Sequence, residues 1–175
     1  VTSRVTFSPS YRSKLELRNI NTGALIWEKQ IADTSIMYAV GFTEDAVNRP
    51  AQYFRKQFST NKKIQSATAY ITAHGMYEAE INGKRVGDYY LTPGWTSYNK
   101  RLQYQVYDVT NLLANGSNVV GVAVGNGWYR GFLAWQNNKD VYGKTLGVLC
   151  QVQITYQDGT TDIVVSDNSW KSSTG

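Results

Sequence analysis

Two dipeptides, Asn82-Gly83 and Asp158-Gly159, constrain this chain more than any other feature. Each stands between two runs in which apolar and polar residues alternate. Such pairs reach positive φ at low cost, which a tight hairpin turn demands. The alternation places one side of each run against a core and the other in water. Runs of this kind cover 52–58, 67–81, 102–109, 118–124, 146–156 and 161–165. Tyrosine, with 13 copies, and tryptophan, with 5, add strand preference. The expectation is an all-β chain, a two-sheet antiparallel β-sandwich or jelly roll over 51–175. One exception is expected: Asp108-Val-Thr-Asn-Leu-Leu-Ala-Asn-Gly carries a cap, two leucines and an Asn-Gly stop, and predicts one or two helical turns. Residues 1–50 are less regular. They hold one hairpin-like unit, 14–31, around Asn21-Thr22-Gly23, and read as an arm or added strands.

At 175 residues the chain suffices for one core without staples. Apolar residues make up 42% and charged residues 18%, which excludes a disordered chain, and no run approaches a membrane span. The opening VTSRVTFSPSYRSKLE has no initiating Met and no targeting region, so the chain reads as a fragment of a longer protein. The net charge of +5 is spread along the chain. Its densest patches, Lys62-Lys63, Lys84-Arg85 and Lys100-Arg101, lie beside turn signals, so they read as solvated rims and no nucleic-acid partner is expected. Cys150 sits in the apolar run GVLCQVQI and is expected to be a buried, inert thiol. Asn115-Gly116-Ser117 marks a turn and also matches a glycosylation acceptor.

Most candidate chemistry fails on spacing. Gly125-Asn-Gly127-Trp-Tyr-Arg-Gly131 follows a strand, but its last glycine is one place late for a dinucleotide loop and no βαβ unit surrounds it. The single histidine, His74, precedes Gly75 in mid-strand and reads as a core or bulge residue. One His and one Cys cannot make a zinc site or a nucleophilic triad. Glu78 and Glu80 share one side of a strand about 7 Å apart, within the separation of an inverting acid and base, yet alternating acids are also the ordinary exposed face. Asn99, Asn126, Asn137, Asn138 and Asp140 could offer oxygens to calcium, but no recognisable calcium loop is present.

What remains is a set of aromatic loops. PGWTSYNKR and GNGWYRG both fall at strand ends and carry Trp95, Tyr98, Asn99, Trp128, Tyr129 and Arg130. Flat rings can stack on the apolar face of a sugar, while amide and guanidinium heads bond its hydroxyls. Loops at one end of a sandwich converge even when far apart in sequence. The six residues are therefore the candidate carbohydrate site. The competing reading makes Trp95 and Trp128 buried plugs that close the end of the sandwich.

The stretches QYFRKQF, YEAEINGKRVGD, LTPGWTSYNKRLQYQVYDVT, NLLANGSNVVGVAVGNGWYRG and ITYQDGTTDIVVSDNSWKSSTG, in this order, resemble the N-terminal β-sandwich domain of bacterial α-L-rhamnosidases. The INGKRVG turn is shared with many sugar-binding sandwiches, while PGWTSY followed by GNGWYRG is more specific. The resemblance implies a galactose-binding-like jelly roll attached to a large inverting glycosidase. It also implies that the acid and base glutamates lie in a later helical barrel, so that this chain is a non-catalytic accessory domain. Some relatives bind rhamnose with calcium. Ser97 stands where family members often carry an acid, which weakens that implication here. The expected partners are a rhamnosylated glycan and the rest of the parent enzyme, in a periplasmic or extracellular setting. The alternatives are a stand-alone carbohydrate-binding module and a purely structural domain.

Overall fold

The computed structural model describes residues 4–5, 14–18, 25–30, 37–38, 49–134 and 138–174. The chain divides into two units, one of Val1–Thr43 with Ala134–Asn137, the other of Glu44–Leu133 with Asn138–Gly175. In the first unit β1 (Arg4–Val5) pairs with β4 (Met37–Tyr38), and β2 (Lys14–Arg18) pairs antiparallel with β3 (Leu25–Gln30). That second pair is the hairpin expected over 14–31, though Asn21-Thr22-Gly23 lies outside the described residues.

The second unit is a two-sheet antiparallel β-sandwich. Its elements are β5 (Gln52–Thr60), β6 (Ile64–His74), β7 (Met76–Ile81), β8 (Lys84–Arg85), β9 (Gln105–Asp108) and β10 (Gly116–Gly125), followed by β11 (Phe132–Leu133), β12 (Asn138–Lys139), β13 (Gly147–Tyr156), β14 (Thr161–Val165) and β15 (Lys171–Ser173). One sheet runs β15-β5-β10-β7-β8 and the other β14-β13-β6-β9, while β11 and β12 form a separate ribbon. The expected helix shrinks to a single 3-10 turn, Thr110–Leu112. Among the described residues the one α-helical turn is Gly127–Arg130, inside the glycine-rich loop.

Alternation builds the core. Val120, Val122 and Val124 of β10 face Ala67, Ala69 and Ile71 of β6 and Cys150, Val152 and Ile154 of β13 in one shared cluster. Branched and small residues fill it, and Tyr77 and Tyr107 meet inside, their hydroxyls 3.1 Å apart. Burial pushes the Tyr77 phenol far up and the Cys150 thiol up to about 12, so the thiol is the inert core group that the sequence indicated.

The sequence reads 67–81 as one run with a bulge at His74-Gly75. The structure breaks it there more sharply, because β6 and β7 belong to different sheets and the chain crosses between them at Gly75. Its φ is +136°, and a Cβ would lie 2.4 Å from the Gly125 carbonyl oxygen and 2.7 Å from Val124 Cγ1. Only glycine fits such a corner. His74 itself is exposed, not part of the core.

The two hairpins follow different turn rules. Asn82 (φ 53°) and Gly83 (φ 75°) both take positive φ, the primed turn their types favour. In the second hairpin only Gly159 does so, at 81°, and the Gly159 amide donates to the Tyr156 carbonyl, as in a type I turn closed by a glycine bulge. Around Asn82 the end of the sandwich is sealed by a polar network. Asn118 is 0% exposed. Its amide donates to the Ala114 and Gly116 carbonyls (2.8 and 3.0 Å) and accepts from Asn82 Nδ2 and the Ala114 amide, both at 2.8 Å. Replacing Asn118 by Leu would leave these groups buried without partners, so we expect a loss of about 2–4 kcal/mol in denaturant unfolding. A Thr60→Val variant, which removes one hydroxyl donated to Ala114, is expected to lose only about 1 kcal/mol.

One turn device recurs three times. Oδ1 of Asp108, Asp158 and Asp167 accepts the amide of the residue two places on, at 3.0, 3.0 and 2.9 Å, and also its hydroxyl. These bonds favour the ionised form. The Thr110 hydroxyl holds Asp108 below the ordinary value of 3.8, the Ser169 hydroxyl does so for Asp167, and for Asp158 the Lys62 ammonium leads, with Thr160 behind it. Carboxyls with depressed folded-state pKa values stabilise fully above the unfolded value and lose that contribution as pH falls through the folded one. The melting temperature should therefore hold above pH 5 and drop below about pH 4. The D108N/D158N/D167N variant should show a smaller drop over the same range.

Candidate functional site

Strand register places the loops. Gly147 pairs with His74, and Gly125 pairs with Met76, so the ends of β6 and β10 and the starts of β7 and β13 lie at one end of the sandwich. The Asn82, Asn118 and Thr60 network closes the other end. PGWTSYNKR and GNGWYRG therefore meet, as topology led one to expect.

The meeting is an aromatic stack. The rings of Trp95 and Trp128 lie parallel, 6.0 Å apart and 5° from coplanar. The Trp95 Nε1–H donates to the Tyr142 hydroxyl at 3.2 Å. Tyr98 packs its ring on Tyr129 and on Tyr142 at 5.4 and 5.0 Å, and donates its hydroxyl to the Gly94 carbonyl at 3.0 Å. His74 stacks on Tyr129 at 4.5 Å. Burial, with Tyr142 alongside, pushes the Tyr98 phenol up to about 12. The contacts are tight: a Cβ on Gly143 would sit 2.1 Å from the Tyr129 hydroxyl, and one on Gly127 only 2.9 Å from the Met76 backbone nitrogen.

The six candidate residues divide unexpectedly. Trp95 is 56% exposed. Trp128 is half-buried beneath it. Asn99 is exposed, while Tyr98 and Tyr129 are buried. Arg130 is only 9% exposed. Its Nε donates to Asn126 Oδ1 at 2.7 Å and its Nη2 to the Pro50 carbonyl at 3.3 Å. Burial and the neighbouring Arg49 cation lower the Arg130 pKa, and Arg49 is itself ion-paired with Asp140. The guanidinium thus braces the loop from within instead of facing solvent. Tyrosine and arginine side chains are long enough to turn inward, and spacing alone does not reveal which way they turn. Sequence reasoning left His74, stacked on Tyr129, out of this cluster and missed Tyr142 altogether. Tyr142 belongs to neither motif, and only its neighbour Gly143 hints at a close approach.

Other candidates resolve plainly. Gly127–Arg130 is only four residues of helix and follows an antiparallel strand, not the parallel βαβ unit that a dinucleotide loop requires. Glu78 and Glu80 lie on the exposed outer face of β7, with Glu78 3.9 Å from Arg85. Among the described residues no group of three His, Cys, Asp or Glu could hold a metal ion. The segment 89–104 offers Asn99 but no carboxylate, and it carries Lys100 and Arg101. That segment does not fit calcium, which takes several anionic or carbonyl oxygens; of the other candidates Asn126 Oδ1 accepts from Arg130, Asp140 is paired with Arg49, and Asn137 lies outside the described residues. Among the described residues no helix is long and apolar enough to cross a membrane.

A Tyr98→Phe variant isolates one strut of this end. It removes the bond to Gly94 but keeps the ring, and the expected cost is about 1 kcal/mol in denaturant unfolding. A loss above about 3 kcal/mol would mean that the hydroxyl organises the whole cluster.

The family model for the α-L-rhamnosidase N-terminal domain matches residues 62–175. An α-L-rhamnosidase of Formosa agariphila is 38% identical over 135 residues, which are 77% of this chain and 14% of that protein. The crystal structure of α-L-rhamnosidase from Aspergillus terreus superposes with a TM-score of 0.71 at 49% identity, covering 72% of this chain and 15% of that one. The structure of Streptomyces avermitilis α-L-rhamnosidase complexed with L-rhamnose superposes with a TM-score of 0.70 at 32% identity, covering 85% of this chain and 17% of that one. The chain therefore spans about a seventh of the length of the rhamnosidases that it matches. The matched family model and the identity to these relatives show that the chain belongs to the family of α-L-rhamnosidase N-terminal domains.

Proposed function

We propose that this chain is a non-catalytic accessory domain of an α-L-rhamnosidase, and that it places a rhamnosylated glycan at the aromatic end of its sandwich. The observation that carries this reading is the state of Trp95: an exposed indole, braced flat by Trp128 and fixed by its hydrogen bond to Tyr142. A ring ordered before the ligand arrives loses little entropy on stacking a sugar. Asn99, exposed on the same loop, supplies an amide for hydroxyls. In this reading Tyr98, Trp128, Tyr129 and Arg130 hold the platform and Trp95 touches the sugar. The functional unit is 51–175, with 1–50 as an added arm.

A second role, scaffolding the remainder of a longer rhamnosidase, is favoured by the contrast between the two outer sheet faces. The outer face of the five-stranded sheet carries Arg55, Lys171, Glu78, Glu80 and Arg85 around two exposed apolar residues, Tyr53 and Val119. The outer face of the four-stranded sheet instead exposes Val106, Leu149, Ile163 and Val165. A face of that composition suits packing against another domain. The two roles are compatible.

Titration of the chain with L-rhamnose, followed by NMR, tests the primary reading. One stacking aromatic supports a Kd on the order of millimolar, about 4 kcal/mol. Trp95→Ala should abolish binding at this platform and leave the melting temperature nearly unchanged, because the ring is mostly in water. Trp128→Ala should weaken binding and also cost about 2 kcal/mol of stability. The chain alone should release no nitrophenol from an aryl rhamnoside. Release that disappears in an E78Q or E80Q variant would overturn the non-catalytic assignment.

A further inference from the structure

Next to the tryptophan stack, the same loop forms a cleft of about 450 Å³ whose chief walls are Tyr89, Tyr90, Leu91, Tyr104, Gln105 and Val106. We propose that this cleft is a second sugar subsite, which takes a neutral 6-deoxyhexose through tyrosine stacking and an apolar seat for the methyl group. The proposal rests on the carbohydrate reading above and gives that reading a second point of contact.

Four observations carry it. The cleft volume lies within the roughly 300–1,000 Å³ of small-molecule sites. No charged residue lines it, which disfavours phosphate, acidic peptide and nucleic acid and leaves neutral ligands. Tyr89, Tyr90 and Tyr104 are all exposed around it, whereas Tyr77, Tyr98, Tyr107, Tyr129 and Tyr156 are buried. Exposed phenols combine a stacking face with a hydroxyl, the mixture a pyranose needs, while the Gln105 amide is held inward by Pro93 and Tyr77 and stiffens the wall.

The fourth observation is the backbone. Leu91 is 61% exposed and has a φ of 58°. A branched residue in the left-handed region is strained, and an exposed one has no packing to compensate for the strain. The surroundings hold it there. The Tyr77 amide donates to the Thr92 carbonyl at 2.8 Å, and the Thr92 hydroxyl donates back to the Tyr77 carbonyl at 2.7 Å. The Gly94 amide donates to the Leu91 carbonyl at 3.0 Å, and Gln105 Nε2 donates to the Pro93 carbonyl at 3.1 Å. Arg85 donates to the Tyr89 carbonyl at 2.9 Å and lies 4.3 Å over the Tyr90 ring, fixing one face of it. The wall is thus built before any ligand arrives. Its apolar points, Leu91 and Val106, suit a methyl group better than a hydroxymethyl. Gly94 also lines the cleft and Trp95 follows it in the chain, so one glycan could engage both subsites.

The test uses L-rhamnose and L-mannose, which differ only in bearing a methyl or a hydroxymethyl group. With the 175-residue chain, L-rhamnose is expected to shift backbone amide signals within 89–94 and 104–106 as well as the Trp95 indole. L-mannose should bind several-fold more weakly. Tyr104→Ala should weaken L-rhamnose binding at least 5-fold. Leu91→Asn gives a readout that a structural role would not: asparagine accepts positive φ, so the melting temperature should hold or rise while binding weakens. If L-rhamnose binds, but only the Trp95 and Trp128 signals move and Tyr104→Ala binds normally, the cleft proposal fails and the platform reading stands. If Tyr104→Ala abolishes binding while Trp95→Ala does not, the cleft stands and the platform reading fails. If neither sugar binds, both fall.

Discussion

The crossing at Gly75 is the constraint on which the rest of the sandwich depends. There the chain leaves one sheet and enters the other within a single residue, against the Gly125 carbonyl and the Val124 side chain. The crossing ties the ends of β6 and β10 to the starts of β7 and β13. Every loop that builds the aromatic end hangs from one of those points or is packed on them. A side chain at this corner would push the two sheets apart at the place where His74, Tyr129 and Trp128 converge.

The two ends of the sandwich have different chemistry. One is sealed by amides and hydroxyls around Asn118, a network worth keeping only because every member is satisfied. The other is closed by rings, whose contacts tolerate exposure and leave the indole of Trp95 in solvent. A buried amide network gives rigidity but little surface that a ligand could use. An aromatic cluster with one exposed member gives both. That division suits a domain whose strands form a framework and whose function sits in loops.

Much of the fold was legible because alternation and turn dipeptides act locally. The strand run 161–165 matches β14 residue for residue, and 118–124 lies inside β10. Asn82-Gly83 adopts the primed turn that its residue types favour. The sheet crossing was less legible, since His74-Gly75 looks the same in sequence whether it bulges or changes sheets. The meeting of the two tryptophan loops could be inferred from strand ends. The inward turn of Tyr98, Tyr129 and Arg130 could not, because it depends on partners such as Tyr142, Asn126 and Pro50 that lie outside both motifs or gain meaning only in three dimensions. The cleft beside Tyr104 escaped for a similar reason: it is assembled by the positive φ of Leu91, and nothing in the sequence marks that leucine as left-handed.

The central claim is that sugar recognition resides in the aromatic loops at one end and not in the carboxylates of the outer face. Saturation-transfer difference NMR with L-rhamnose tests it most directly, because it reports which protein protons lie against the sugar. The account predicts transfer to L-rhamnose when the aromatic protons are irradiated, and loss of the signal when Trp95 and Tyr104 are both replaced by Ala. Transfer that persists in that double variant, or disappears only when Glu78 and Glu80 are replaced by Gln, would contradict it.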